Sequence, residues 1–268
     1  MMKKILYTIV VITVILGGYY FANSKKNVKV PILMYHHFDN DEKNINGVTV
    51  KEEEFEKQMK YLKDNGYTAI TIQDLVNERR LPKKPIIITA DDGYRSNYEI
   101  MYPILKKYGM KATIFVIGQG IDDANKTSNV IPKFNWKEAK EMYESGVIEF
   151  ECHTYNSHKI SKTIDGERSV FSAPLENESK EDFENRISRD ISKNISVIQS
   201  NLGYKPIAFA YPYGEYSADA EKILKENGIK FTFLASGGKE ENVYNMYLLK
   251  RIPVNGDEDM VDFKKNLN

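Results

Sequence analysis

Two short stretches of this 268-residue chain hold side chains that could bind a metal and move a proton. The first, Pro85-Ile86-Ile87-Ile88-Thr89-Ala90-Asp91-Asp92-Gly93-Tyr94, is an apolar run that stops at two adjacent carboxylates. Such neighbours repel each other unless a cation or a shared proton offsets the charge. Asp-Asp-Gly alone is ordinary turn chemistry. The second stretch, Glu149 to His158, changes the balance. Its run Val147 to Cys152 ends at His153 and His158, five positions apart, and these are two of only four histidines in the chain. Imidazole is the commonest metal-ligating side chain. Two imidazoles and one carboxylate make a three-ligand site with an open position for water, suited to hydrolysis at zinc or to oxidation at non-haem iron.

The elements around these residues must bring them together. Four apolar or β-branched residues before Asp91 read as a strand buried on both faces, as in a parallel sheet. Gly93 permits a sharp turn, and Ser96 to Tyr108 reads as a helix. Asp91 and Asp92 then lie at the C-terminal end of a strand, where β/α folds keep their chemistry. Strands are also expected at Val30–Tyr35, Tyr67–Ile70, Ala112–Ile117, Val147–Cys152, Ile207–Tyr211, Lys230–Ala235 and Leu248–Val254. Helices are expected over Lys51–Asn65 and Trp136–Glu144, with the longest carrying Phe183, Ile187, Ile191, Ile195 and Ile198 at helical spacing. Gly118 to Phe134 reads as a long loop, and Lys159 to Asn177 as a polar insertion, either a surface excursion or a wall of a substrate groove. Alternation of strand and helix without an internal repeat argues for one α/β barrel.

Here the chain resembles a known family. Thr89-Ala90-Asp91-Asp92-Gly93-Tyr94 is similar to the first motif of the polysaccharide deacetylases, carbohydrate esterase family 4. His153-Thr154-Tyr155-Asn156-Ser157-His158 resembles their second motif, in the longer spacing of the poly-N-acetylglucosamine branch. Ala210-Tyr211-Pro212-Tyr213-Gly214 resembles the third, and Met34-Tyr35-His36 is typical of that branch. The resemblance runs from about Val30 to the C-terminus, with the motifs in family order. It implies an irregular (β/α) barrel, a distorted relative of the regular eightfold form, and a hydrolase that removes N-acetyl groups from an acetylated polysaccharide. Poly-N-acetylglucosamine is the favoured polymer; peptidoglycan, or a non-catalytic polysaccharide-binding role, is the alternative. The resemblance assigns Asp92, His153 and His158 to a divalent metal, zinc (Zn2+), Asp91 to the general base, and the backbone N–H of Tyr213 to the oxyanion.

Two departures from the family pattern stand out. Ala210 occupies the place of an arginine that orients the base, and Arg251 is a candidate replacement. No histidine follows His158, so the leaving amine needs another proton donor. His36 and His37 both follow the first strand, and alternation lets only one face the site. The match of Tyr35-His36 to the early motif favours His36, with a proton returned by Asp91, or a purely structural His36, as the other readings.

Lys plus Arg equals Asp plus Glu at 38 each, which gives no electrostatic case for nucleic acid. The single cysteine, Cys152, excludes an intrachain disulfide and suits a small buried hydrophobe. Met1-Met2-Lys3-Lys4 followed by an uncharged run from Ile5 to Ala22 fits a membrane anchor or a secretory signal. The expected organisation is thus 1–22 anchor or signal, 23–29 linker and 30–268 catalytic domain. That places the protein in the cell membrane with a single span and its catalytic domain outside, or else secreted.

Overall fold

Eight parallel strands carry the site: β1 Ile32–Tyr35, β2 Thr68–Ala69, β3 Pro85–Asp92, β4 Ala112–Val116, β5 Ile148–Cys152, β6 Ala208–Ala210, β7 Phe231–Phe233 and β8 Ile252–Pro253. Their order is β7-β6-β5-β4-β3-β1-β8, with β2 also pairing with β3. A parallel bridge between Phe233 and Leu249 brings the two ends of this sheet together in an irregular barrel. The molecule is seen in a computed structural model that describes residues 29–77, 80–126 and 131–267. The proposed anchor or signal, 1–22, lies outside the described residues. Among the described residues no helix is long and apolar enough to cross a membrane.

Strand alternation sorts the core into two layers. On β3, Ile86, Ile88 and Ala90 join the larger cluster between sheet and helices. Ile87 points the other way and packs with Phe115, Ala208, Phe231 and Phe233 inside the barrel. All eight β3 residues are buried, so this strand is apolar on both faces until it reaches its carboxylates. Burial of each large aliphatic contributes about 2 kcal/mol.

The helices α1 Glu52–Asp64, α2 Ile72–Asn77, α3 Tyr102–Tyr108, α4 Gly118–Asp122, α5 Trp136–Glu144, α6 Lys180–Leu202, α7 Ala218–Glu226 and α8 Met260–Asn266 complete the fold. On α6, Phe183, Ile187, Ile191, Ile195 and Ile198 are buried as their spacing predicts. Three expectations need correction. Pro31 has no N–H to extend the first strand's ladder, so β1 starts at Ile32, while Lys29–Val30 pairs antiparallel with Glu241–Asn242. The expected loop from Gly118 opens with α4; a Cβ at Gly118 would lie 2.4 Å from Asn194 Oδ1, so only glycine allows so close a packing on α6. The insertion contains an antiparallel hairpin, Ile160–Thr163 with Gly166–Ser169.

Alternation on β5 has a less expected result. Ile148, Phe150 and Cys152 face the outer core, which leaves Glu149, Glu151 and His153 on the inner side. Glu149 accepts from the Ile72 and Gln73 N–H groups at the start of α2, and Glu151 from the Ile207 and Ala208 N–H groups. Burial raises both carboxyls above the usual range, and the charge of Glu149 adds to the effect at Glu151. Glu151 Oε1 is buried without a hydrogen-bond partner, and a proton shared with Glu149 would satisfy it. A carboxyl raised in the folded state loses its stabilising contribution as pH rises through that folded value. Thermal unfolding followed upward in pH from the ordinary carboxyl range should therefore show the wild type losing stability relative to Glu151→Gln. Parallel pH profiles would exclude the shared proton.

Candidate active site

Four strand ends converge on one rim. Asp91 shares the inner face of β3 with Ile87 and Thr89, and it is 2 % exposed. Simple alternation would turn Asp92 to the outer side. Instead Asp92 takes a left-handed backbone (φ 73°), uncommon for a residue with a side chain, and Gly93 follows at φ 74°. That kink brings both carboxylates to the same place. A Cβ on Gly93 would come within 2.8 Å of Ile121 Cδ1, so glycine is needed for space as well.

Asp92 Oδ1 lies 3.5 Å from His153 Nε2 and 3.5 Å from His158 Nε2. One donor atom from each of the three residues falls within 4.8 Å of the others, a spacing that a single cation can bridge. Asp92 Oδ1 is buried without a hydrogen-bond partner, as a ligand atom should be before it meets its cation. His153 Nδ1 is 2.7 Å from the Ala210 carbonyl, which fixes the proton on Nδ1 and leaves the Nε2 lone pair for a ligand. Burial pushes His153 down to about 4 against the pull of Asp91, so its ring is neutral near pH 7. These residues fit a divalent cation.

Arg251 reaches Asp91 from the last strand region. It is fully buried on the face of Phe115, and its two terminal nitrogens each lie 2.7 Å from one oxygen of Asp91. The Leu234 carbonyl and Thr89 Oγ1 accept from it as well. Burial alone would raise the Asp91 carboxyl, but Arg251 and the nearby His153 outweigh it and hold the group well below the usual range. His36 Nε2 is 4.0 Å from Asp91 Oδ2, whereas His37 turns away to Ser96 Oγ at 2.7 Å. Asn97, in a π-helical turn over Asn97–Met101, donates to the His36 carbonyl and holds this strand end in place. Tyr213 stands at φ 58° in the turn after β6, with its ring 4.7 Å from that of His158.

Residues 78–232 match the sequence pattern described as polysaccharide deacetylase. The chain belongs to the polysaccharide deacetylase family. It is 31% identical over 227 residues to the poly-β-1,6-N-acetyl-D-glucosamine N-deacetylase of Staphylococcus aureus (strain MRSA252), covering 82% of this chain and 73% of that protein. The de-N-acetylase of Aggregatibacter actinomycetemcomitans superposes with a TM-score of 0.80 at 27% identity, covering 90% of this chain and 100% of that one. The Streptococcus pyogenes deacetylase PplD, solved in complex with acetate, follows with a TM-score of 0.72 at 25% identity, covering 90% and 99%. The protein is thus a polysaccharide deacetylase, a hydrolase acting on carbon–nitrogen bonds other than peptide bonds. Polysaccharide deacetylases are generally metal-dependent, which agrees with the Asp92, His153 and His158 cluster.

Sequence reasoning missed two contributors. Asp190 on α6 accepts from the Tyr155 and Asn156 N–H groups and Ser157 Oγ, each at 2.8 Å, and so shapes the loop between the two histidines. Its signal was a polar residue on the apolar stripe of that helix. Lys133 sits over the Tyr94 ring at 3.5 Å. Loss of water lowers it to about 8, partly offset by Asp92. Nothing in the loop sequence marked it.

Proposed function

We propose that this deacetylase removes N-acetyl groups from a β-linked N-acetylglucosamine polysaccharide at the cell surface, and that poly-β-1,6-N-acetylglucosamine is its polymer. The observation that carries the reading is the Asp92–His153–His158 cluster beside a base clamped by Arg251. The Staphylococcus aureus relative, named for that polymer, supports the choice of substrate. Acetate release from a panel of acetylated β-1,6-linked oligomers and peptidoglycan tests it. Turnover confined to peptidoglycan would overturn the polymer, and no acetate from any substrate would overturn the activity. An apolar run over 5–22 supports an anchored catalytic domain outside the cell. A soluble mature form starting near Asn23 would refute the anchor.

His153, His158 and Asp92 would hold the cation, with zinc suited to this donor set. A divalent cation there supplies Lewis acidity toward the amide carbonyl and makes water a better acid. Asp91 takes the proton of the attacking water. Held so low by Arg251, it is a weak base, and it would take that proton from water made acidic enough by a cation held by the neighbouring ligands. Tyr213 offers its backbone N–H to the oxyanion of the tetrahedral intermediate. Its turn closes through Gly214 N–H to the Tyr211 carbonyl and Glu215 N–H to the Pro212 carbonyl, which leaves the Tyr213 N–H outside those bonds.

The departing amine must gain a proton, and His36 is the imidazole that faces Asp91. His36→Gln should lower kcat by about 10²-fold with the metal retained. Near wild-type turnover would instead leave Asp91 as the carrier that returns the proton.

A further inference from the structure

The hairpin of the 159–177 insertion is tied to the turn that carries Tyr213, and the tie runs through one residue. Glu215 Oε2 accepts from the Ser169 N–H at 2.9 Å and from Arg168 Nε at 3.2 Å. The Glu215 carbonyl accepts from Ser172 Oγ just beyond the hairpin. On the other side of the turn Gly214 lies against Ala235, where an added Cβ would be 2.9 Å from the Ala235 nitrogen. Between these two supports Tyr213 keeps a left-handed backbone, φ 58° and ψ 9°, which is strained for a non-glycine residue and lasts only where the surroundings enforce it.

We propose that Glu215 is a positioning residue: anchored by the hairpin, it holds Tyr213 in the left-handed turn that aims its N–H at the reaction's oxyanion. The inference rests on the reading of Tyr213 given above. It gives the insertion a catalytic purpose that its exposure and polarity conceal. An oxyanion donor acts on charge that develops only in the transition state, so a misplaced N–H should reduce turnover and leave ground-state binding alone. A loose groove wall would do the reverse and raise KM. Neither the metal ligands nor Asp91 touch Glu215, so metal content should not change.

Glu215→Ala, Glu215→Gln and Arg168→Ala in the full chain, assayed on acetylated β-1,6-linked oligomers, test the idea. Glu215→Ala should lower kcat by about 10-fold or more with KM within about twofold. Metal stoichiometry should stay at the wild-type value. Glu215→Gln keeps an oxygen for the Ser169 N–H and should recover most of the rate, and Arg168→Ala should fall between. Amide exchange at Tyr213 and Gly214 should quicken in the alanine variant. If Glu215→Ala does not fold, the ordering of the glutamine and Arg168 variants carries the test. Unchanged kcat across the series, or a change confined to KM, would overturn the positioning role. A wild type without turnover would instead remove the deacetylase reading, and this inference with it.

Discussion

Asp91→Asn should nearly abolish turnover and leave the metal in place, whereas Asp92→Asn should lose the metal itself. The two carboxylates are adjacent in sequence but see different partners. Asp91 spends both oxygens on Arg251, and its nearest imidazole nitrogens are 3.9 and 4.0 Å away. Asp92 has the unpartnered buried oxygen, 3.5 Å from both His153 and His158. Asparagine at 91 keeps shape and removes the proposed base, so kcat should fall by about 10³-fold. Asparagine at 92 gives up a charged ligand, and affinity should fall by more than the ~10–100-fold seen when only an outer partner of a ligand is changed. Metal content after dialysis, measured beside kcat, separates them. Equal metal loss in both variants would mean that the roles are misassigned.

Arg251→Met should produce the largest loss of stability of any single change at the site. Arg251 is the largest fully buried side chain among the described residues, and its removal leaves the Asp91 charge in an apolar barrel without its main partner. Breaking one side of a buried pair costs about 3–5 kcal/mol. In the wild type the Asp91 carboxyl is depressed, so its stabilising contribution is present above the unfolded pKa near 3.9 and fades only as pH falls toward the lower folded value. Without Arg251 the effect of burial dominates and the folded pKa rises. The sign then reverses: stability should fall as pH rises through that new value. Thermal unfolding of Arg251→Met should accordingly improve from about pH 7 to about pH 5, and adding Asp91→Asn should recover much of the loss at pH 7. A melting temperature at pH 7 equal to that of the wild type would contradict this account of the pair.

What could be read in advance followed from local rules. The apolar run into Asp91, and the strand before His153, end on the same rim because parallel strands all point their C-termini one way. Strand alternation lets only one of His36 and His37 face Asp91, and the structure turns His36 toward it. The remaining features depend on tertiary packing. Arg251 and Asp91 are 160 positions apart, so no periodicity links them. The left-handed Asp92 could not be read, since Gly93 alone advertised the turn. Glu149 and Glu151 passed as part of an apolar-rich run because their donors, at 72–73 and 207–208, come from other elements. The hairpin within 159–177 is short and polar, without the β-branched alternation that marks a core strand.

The central claim is that the Asp92–His153–His158 cluster holds a catalytic divalent cation. It is tested most directly by acetate release from β-1,6-linked N-acetylglucosamine oligomers, measured for the purified protein as isolated, after chelation, and after zinc is returned. Activity should vanish on chelation and return with about one equivalent of zinc, while His153→Ala and His158→Ala should neither retain the metal nor recover. Metal-free protein that still releases acetate at the wild-type rate would contradict it.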